Sequence, residues 1–151
     1  MDTSEIDGPP ALEAREVEKR YGAVVALDRI TLRAEGGECV ALVGESGSGK
    51  TTLLRAFNRM VEPDAGSVRV GERDVATWDP VELRRRTGYV QQEGGLLPHW
   101  SVLRNAALVP RLRGMEDAED LARSALERVG LPPGEFGHRW PRQLSGGQRQ
   151  R

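Results

Sequence analysis

Apolar and polar residues alternate with a period of two along the first third of the chain. Residues 14–17, 24–27 and 30–32 carry this alternation, and Tyr21-Gly22 and Asp28-Arg29 separate the three segments. Such alternation is typical of strands that bury one face against a core. It therefore predicts a small antiparallel sheet over residues 14–32.

Three further segments have strand character. Residues 39–43 form a continuous apolar run, which predicts a buried strand with Cys39 as a small core residue. The turn-forming residues 63–66 precede an alternating segment over 67–70, which predicts another strand. We expect residues 87–90 to form a second buried strand.

Other apolar residues recur at helical spacing. A helix is predicted directly after the segment 44–49, with its apolar positions at Leu53, Leu54, Phe57, Met60 and Val61. Residues 80–86 predict a short basic helix, and amphipathic helices follow over 102–112 and 121–129. These last two helices predict a helical subdomain at about residues 93–146, inserted in an α/β frame.

Residues 44–51 read Gly-Glu-Ser-Gly-Ser-Gly-Lys-Thr, which is the phosphate-loop pattern G-x-x-x-x-G-K-T. A predicted strand precedes the loop and a predicted helix follows it, which is the context that this motif requires. A glycine-rich turn without a ligand is the alternative, and the agreement of strand, loop and helix argues against it. We therefore predict a nucleotide site built from Gly44, Glu45, Ser46, Gly47, Ser48, Gly49, Lys50, Thr51 and Thr52.

The residue types in this loop suit a nucleotide phosphate. Glycines let successive backbone N–H groups turn towards one anion, and the N-terminal end of the following helix adds positive potential. The ammonium of Lys50 would reach the β- and γ-phosphates, and the hydroxyl of Thr51 would ligate Mg²⁺. In a chain rich in arginine, Lys50 and Lys19 are the only lysines. A slim ammonium suits this position better than a planar guanidinium, so the lysine supports the prediction.

Composition narrows the function classes. The net charge of the 151 residues is −1 and the isoelectric point is about 6.2. The chain therefore lacks the excess of basic residues that would indicate nucleic-acid binding. The single cysteine excludes a disulfide within the chain and suits a reducing cytoplasm. No apolar run approaches the ~20 residues that cross a bilayer. The acidic residues 1–13, which include Pro9-Pro10, predict a disordered leader without the apolar segment of a signal peptide.

A second motif lies near the end of the chain, where residues 144–148 read Leu-Ser-Gly-Gly-Gln. Ser145 and Gln148 have capping-box spacing, so the segment predicts the start of a helix. Gly146 and Gly147 would allow an anion to approach the positive end of that helix closely. Taken alone, the pattern is equally consistent with a capped junction between a loop and a helix.

A phosphate loop followed by Leu-Ser-Gly-Gly-Gln resembles the ATP-binding subunits of ABC transporters, and the resemblance covers residues 14–151. It implies an α/β P-loop NTPase fold, with an N-terminal antiparallel β-subdomain and an inserted α-helical subdomain, truncated after the signature motif.

The implied cofactors are ATP and Mg²⁺. Tyr21 would stack on adenine, with a core or turn tyrosine as the alternative. Gln92 would help to hold Mg²⁺ and the attacking water, although Gln91 leaves the register open.

The same resemblance implies partners and a location. The chain would form a head-to-tail dimer with a second ATP-binding subunit. The contacts to the nucleotide of that subunit would come from the signature residues Leu144, Ser145, Gly146, Gly147 and Gln148, of which Ser145 and Gly147 would close on its γ-phosphate. Residues 94–100 would face a transmembrane permease subunit, with His99 as a surface contact, and His138 has no implied role. The system would include a substrate-binding protein, and the chain would lie peripherally at the cytoplasmic face of the plasma membrane.

A narrower resemblance concerns the cargo. Three segments are similar to the ATP-binding subunits of importers of glycine betaine, choline and related osmoprotectants: residues 58–63, 88–92 and 105–110.

The chain departs from the family pattern in one respect. The family's Mg²⁺-binding Asp, catalytic Glu and γ-phosphate-contacting His follow the signature motif, and none is found in these 151 residues. The resemblance therefore implies that the 151-residue chain alone is an inactive fragment. A soluble ABC-type ATPase in DNA repair or translation is an alternative, against which the short spacing from Gln92 to Leu144 argues. A small-molecule phosphate-loop kinase is another, and the signature motif argues against it.

Overall fold

Two long strands form an antiparallel hairpin at the start of the fold. The computed structural model describes residues 12–92 and 95–151. Strand β1 (Leu12–Tyr21) pairs with β2 (Val24–Ala34), as the alternation predicts. The predicted leader overlaps β1 at residues 12–13, and its first 11 residues lie outside the described part of the chain.

The predicted break at Asp28-Arg29 is a bulge within β2. Val17 pairs with Ile30 and Lys19 pairs with Leu27, so Asp28 and Arg29 together lie opposite the single residue 18. Arg29 takes a positive φ of 48° at this point. Because a bulge inserts one extra residue without ending the pairing, the strand continues through the polar pair.

Two more strands complete the sheet. Strand β3 (Ala65–Val70) pairs antiparallel with β1, and β4 (Arg73–Asp74) pairs with β3, which makes the order β2-β1-β3-β4. The strand predicted at 67–70 is therefore confirmed. Helix α1 (Lys50–Phe57) buries Leu53, Ala56 and Phe57 in the same core as this sheet. The other buried members of that core are Ala14, Val17, Leu27, Val68, Val70, Val75 and Leu83.

The strands predicted at 39–43 and 87–90 are absent from the structure. A strand persists only where a neighbouring strand supplies partners for its backbone N–H and C=O groups. In the described ranges, no strand pairs with either segment. Val43 and Val90 are accordingly 93% and 78% exposed, and Cys39 is exposed instead of lying in the core.

Helix α1 ends at Phe57, earlier than the apolar spacing predicts. Arg84, from α2 (Pro80–Arg86), donates from Nε to the carbonyl of Asn58 at 3.1 Å and from Nη2 to that of Arg59 at 2.7 Å. These bonds satisfy carbonyl groups just beyond the helix and place a positive charge at the negative end of its dipole. Helix α2 itself has the predicted bounds.

The chain divides after residue 88 into two compact units, and the second unit is helical in its described parts. Its helices are α3 (Val102–Ala106), α4 (Leu108–Leu112), α5 (Ala118–Arg128), α6 (Pro133–Phe136) and α7 (Gly146–Gln150). The single helix predicted over 102–112 is two, because Pro110 has no N–H to donate to the carbonyl of Ala106. The helix predicted over 121–129 is confirmed as α5. The buried core of this unit consists of Val102, Leu126, Leu131, Phe136 and Leu144.

Candidate nucleotide-binding site

The predicted phosphate loop lies directly against strand β2. Gly49, the residue before α1, has a φ of 87°. A Cβ atom at this position would lie 2.2 Å from the carbonyl oxygen of Ala26 and 3.0 Å from the side chain of Leu27. Real Cβ contacts are not this short, so only glycine lets the loop approach the strand so closely and still enter the helix.

Lys50 holds the loop together from its inner side. Its Nζ donates to the carbonyl oxygens of Gly44 at 2.8 Å and Glu45 at 2.6 Å, and to Oγ of Ser48 at 3.0 Å. One ammonium therefore brings three oxygens of the loop together. An ammonium has three rotatable donors, so the same group can bond other oxygen acceptors that enter the loop.

A cavity of about 420 Å³ opens beside the loop. Leu27, Ile30 and Leu53 are among its apolar lining residues, and Gly44, Ser48 and Lys50 line its polar side. The first turn of α1 carries Thr51, which is exposed, and Thr52, which is half-buried. The first backbone N–H groups of a helix lack partners within the helix, so this side of the cavity presents hydrogen-bond donors and positive potential.

Tyr21 ends strand β1 and is 50% exposed. The two residues before it are anchored by Asp64, whose carboxylate accepts from Lys19 Nζ and from the backbone N–H of Arg20, both at 2.7 Å. The bond from Lys19 and that from the Arg20 N–H hold the pKa of Asp64 below its usual range. No local sequence pattern links residue 64 to the end of β1, so this anchor is visible only in the structure.

The predicted Gln92 lies in the second unit, whereas the phosphate loop lies in the first. It is exposed, in a bend that has no helical or strand pairing. The carbonyl oxygen of the preceding residue, Gln91, accepts a hydrogen bond from Nε2 of Gln150 at 2.9 Å. The structure thus connects the segment of Gln92 to helix α7, a contact that the sequence did not predict.

The capping box predicted for Ser145 and Gln148 is confirmed. Ser145 Oγ accepts from the backbone N–H of Gln148 at 3.1 Å, and Gln148 Oε1 accepts from the N–H of Ser145 at 2.9 Å. The side chain of Leu144 is buried in the core of the second unit. A Cβ at Gly146 or Gly147 would meet nothing within 4 Å. The start of α7 is therefore ordered and also open to a close approach.

Asn105 shapes the segment predicted to face a membrane partner. Its Oδ1 accepts from the N–H of Leu97 at 2.7 Å, and its Nδ2 donates to the carbonyls of Leu97, Trp100 and Ser101. His99 is exposed beside Trp100, with 6.1 Å between ring centroids. Gly94, the first residue of the predicted segment, lies outside the described residues.

Across residues 12–92 and 95–151, every helix is too short or too polar to cross a bilayer. In the same ranges, no three His, Cys, Asp or Glu side chains are grouped closely enough to hold a metal ion.

The comparisons with known proteins all lead to one family. A family model described as ABC transporter matches residues 27–151. A glycine betaine/carnitine/choline transport ATP-binding protein of Bacillus subtilis is 41% identical over 143 residues, which cover 93% of this chain and 37% of the relative. A spermidine/putrescine import ATP-binding protein of Pseudomonas aeruginosa is 42% identical over 145 residues, covering 95% of this chain and 39% of the relative. The chain thus spans less than half the length of these curated relatives.

A solved structure is similar along most of the chain. It is the dimeric, post-hydrolysis state of the ATP-binding cassette MJ0796 bound to ADP and phosphate. The TM-score is 0.80 at 30% identity, over 91% of this chain and 65% of that one.

Proposed function

The chain belongs to the ABC transporter family, and from this premise we propose that it binds Mg-ATP at the phosphate loop and serves as the energy-coupling ATPase subunit of a membrane importer. The observation that carries the proposal is the position of Lys50, whose Nζ contacts three loop oxygens and lines the adjoining cavity. Phosphate oxygens compete with those neutral acceptors for the ammonium. Because hydrogen bonds between ionised partners are the stronger ones, the phosphate is favoured.

Mg²⁺ fits the oxygen groups available to it. Thr51 would ligate the ion from the first turn of α1, and the side-chain oxygen of Gln92 is the second protein ligand that we propose. Mg²⁺ prefers such oxygen ligands and keeps several waters. When bound, the ion supplies neutralisation of the charge that develops on the phosphates. Lys50 and the loop N–H groups would bind and orient the phosphates, while Gln92 would orient the attacking water.

The signature segment would act in a dimer. Ser145 Oγ serves as an acceptor in the capping box, so its hydroxyl hydrogen can still be donated to a γ-phosphate bound by the second subunit. The open space at Gly146 and Gly147 would let that phosphate approach the backbone. The dimeric form of the similar cassette supports this arrangement, and it was obtained with ADP and phosphate bound.

The remaining partners follow from the family. A permease subunit would bind the segment held by Asn105, and a substrate-binding protein would deliver the cargo. The chain would then lie peripherally at the cytoplasmic face of the plasma membrane. We favour quaternary-amine osmoprotectants as the cargo, as in the Bacillus subtilis relative. Polyamines are the second candidate, because the Pseudomonas aeruginosa relative is equally similar.

Co-purification and uptake test this function. We expect the native protein to co-purify with an integral membrane protein from detergent-solubilised membranes. Cells whose own gene carries Lys50→Ala should lose uptake of radiolabelled glycine betaine and choline and keep uptake of spermidine. Loss of spermidine uptake alone would identify the polyamine cargo. If no membrane protein co-purifies and uptake of all three compounds is unchanged, a soluble ABC-type ATPase is favoured.

Tyr21→Ala is expected to weaken the binding of ATP and GTP by a similar factor. The exposed ring at the end of β1 would stack on the base, and a stacked aromatic pair is worth about 0.5–1.5 kcal/mol, or roughly two- to tenfold in affinity. Stacking uses the face of a base, so it discriminates little between bases. Titration calorimetry with both nucleotides measures the effect. Tyr21→Phe is the matched control and should bind like the wild type; an equal loss in both variants would show that the hydroxyl acts instead.

A further inference from the structure

One hydrogen bond joins helix α7 to the segment that carries Gln92. Gln150, the last residue of α7, donates from Nε2 to the carbonyl oxygen of Gln91 at 2.9 Å. The two residues are 59 positions apart in the sequence, so the bond connects two segments that are distant along the chain. Both residues lie at the surface of the second unit.

Helix α7 is itself held in place at both ends. At its start, Leu144 is buried in the core of the second unit and the capping box orders Ser145. At its end, Arg151 donates from Nη1 to the carbonyl of Val129, just beyond α5, at 3.3 Å. The amide of Gln150 therefore extends from an element that is fixed to the core of its unit.

The acceptor of this bond belongs to the main chain next to Gln92. The carbonyl of Gln91 and the N–H of Gln92 share one planar peptide group. Fixing the carbonyl therefore also sets the direction of the bond from the Gln92 nitrogen to its Cα. The orientation of the Gln92 side chain then depends on fewer rotations than in a freely moving loop.

We propose that Gln150 is a positioning residue, which orients Gln92 by holding the peptide group before it. The role of Gln92 at Mg²⁺ rests on the function proposed above, whereas the restraint on the main chain does not.

NMR relaxation of the Gln92 backbone N–H, measured on the full chain without nucleotide, tests the restraint, because this N–H belongs to the peptide group that Gln150 holds. Gln150→Met keeps the length of the side chain and its helix propensity but removes the donor. We expect the order parameter of the Gln92 N–H to fall in Gln150→Met towards the values below about 0.6 that flexible backbone shows. Gln150→Lys can still donate to the carbonyl and should restore the wild-type order parameter. Arg149→Met, on the same helix, is the matched control and should keep the wild-type order parameter.

The Mg²⁺ dependence of ATP affinity tests whether Gln150 acts through Gln92 on nucleotide binding. The ratio of ATP affinity with Mg²⁺ to that in EDTA should fall in Gln150→Met, while the affinity in EDTA stays unchanged. A role confined to folding would lower both affinities together. A wild-type order parameter in Gln150→Met, a low one in Gln150→Lys, or an unchanged affinity ratio would each overturn the proposal. If the wild type does not bind ATP, the proposed function fails, and the relaxation experiment still decides whether Gln150 restrains the main chain.

Discussion

Replacing Lys50 with alanine is expected to lower the affinity for Mg-ATP roughly ten- to hundredfold. The change removes a hydrogen bond between ionised partners, which contributes about 1.5–3 kcal/mol. It also removes the group that brings together the oxygens of Gly44, Glu45 and Ser48, so the loop loses its present shape along with its charge. Titration calorimetry with Mg-ATP measures the loss directly.

Two further variants test whether a positive charge alone is enough for ATP binding. One changes the shape of the charged group at residue 50, and the other removes a charge elsewhere in the first unit. Lys50→Arg keeps the charge but replaces the compact ammonium by a planar fork, and we expect it to bind ATP more weakly than the wild type. Arg33→Ala removes an exposed positive charge from the same unit and should leave the affinity unchanged. Wild-type affinity in Lys50→Ala would contradict the assignment of the phosphate loop.

Gly49→Ala should destabilise the first unit by about 2–5 kcal/mol. The added methyl group meets the carbonyl of Ala26, and overpacking of this kind costs about 1–3 kcal/mol. The positive φ adds about 1–2 kcal/mol for a residue with a Cβ. Gly47 lies in the same loop with a nearly equal φ of 85°, but a Cβ there meets nothing within 4 Å. Gly47→Ala should therefore destabilise the first unit only by the about 1–2 kcal/mol that the positive φ costs.

Urea unfolding of the two glycine variants measures this difference. Trp78 lies in the first unit, and Trp100 and Trp140 lie in the second. In a background of Trp100→Phe and Trp140→Phe, tryptophan fluorescence therefore reports on the first unit. The lower midpoint should belong to Gly49→Ala. Equal midpoints would mean that the close approach of the loop to β2 does not exist in solution.

Local patterns predicted the parts of the site that depend on near neighbours in the sequence. Helix α2 has the predicted bounds, and Asp79 accepts from the backbone N–H groups of Val81 and Glu82 at its start. The capping box of Ser145 and Gln148 is likewise complete within four residues. Both succeed because the partners of each group lie within one turn of it, so the sequence alone specifies them.

Long-range contacts account for what the patterns did not predict. Arg84 bonds the carbonyls just beyond α1 from 25 or 26 residues away, and Asp64 anchors the strand of Tyr21 from a distance of 44 or 45 residues. The sequence neighbours of Arg84 and Asp64 do not distinguish these two residues from the many other charged residues of the chain. Their roles became visible only when folding brought the partners within hydrogen-bond distance.

By itself, the sequence determined the phosphate-loop pattern around Lys50, the capped start of α7 and the family to which they belong, because each depends on residue types at short, fixed spacing. The tertiary structure decided which apolar segments became strands. Residues 39–43 and 67–70 both have strand character, yet only the second pairs with a neighbour in the described part of the chain. The bond from Gln150 to Gln91 was decided in the same way. Pairing and long-range hydrogen bonds require two segments to meet, and the position at which they meet is set by the packing of the whole unit.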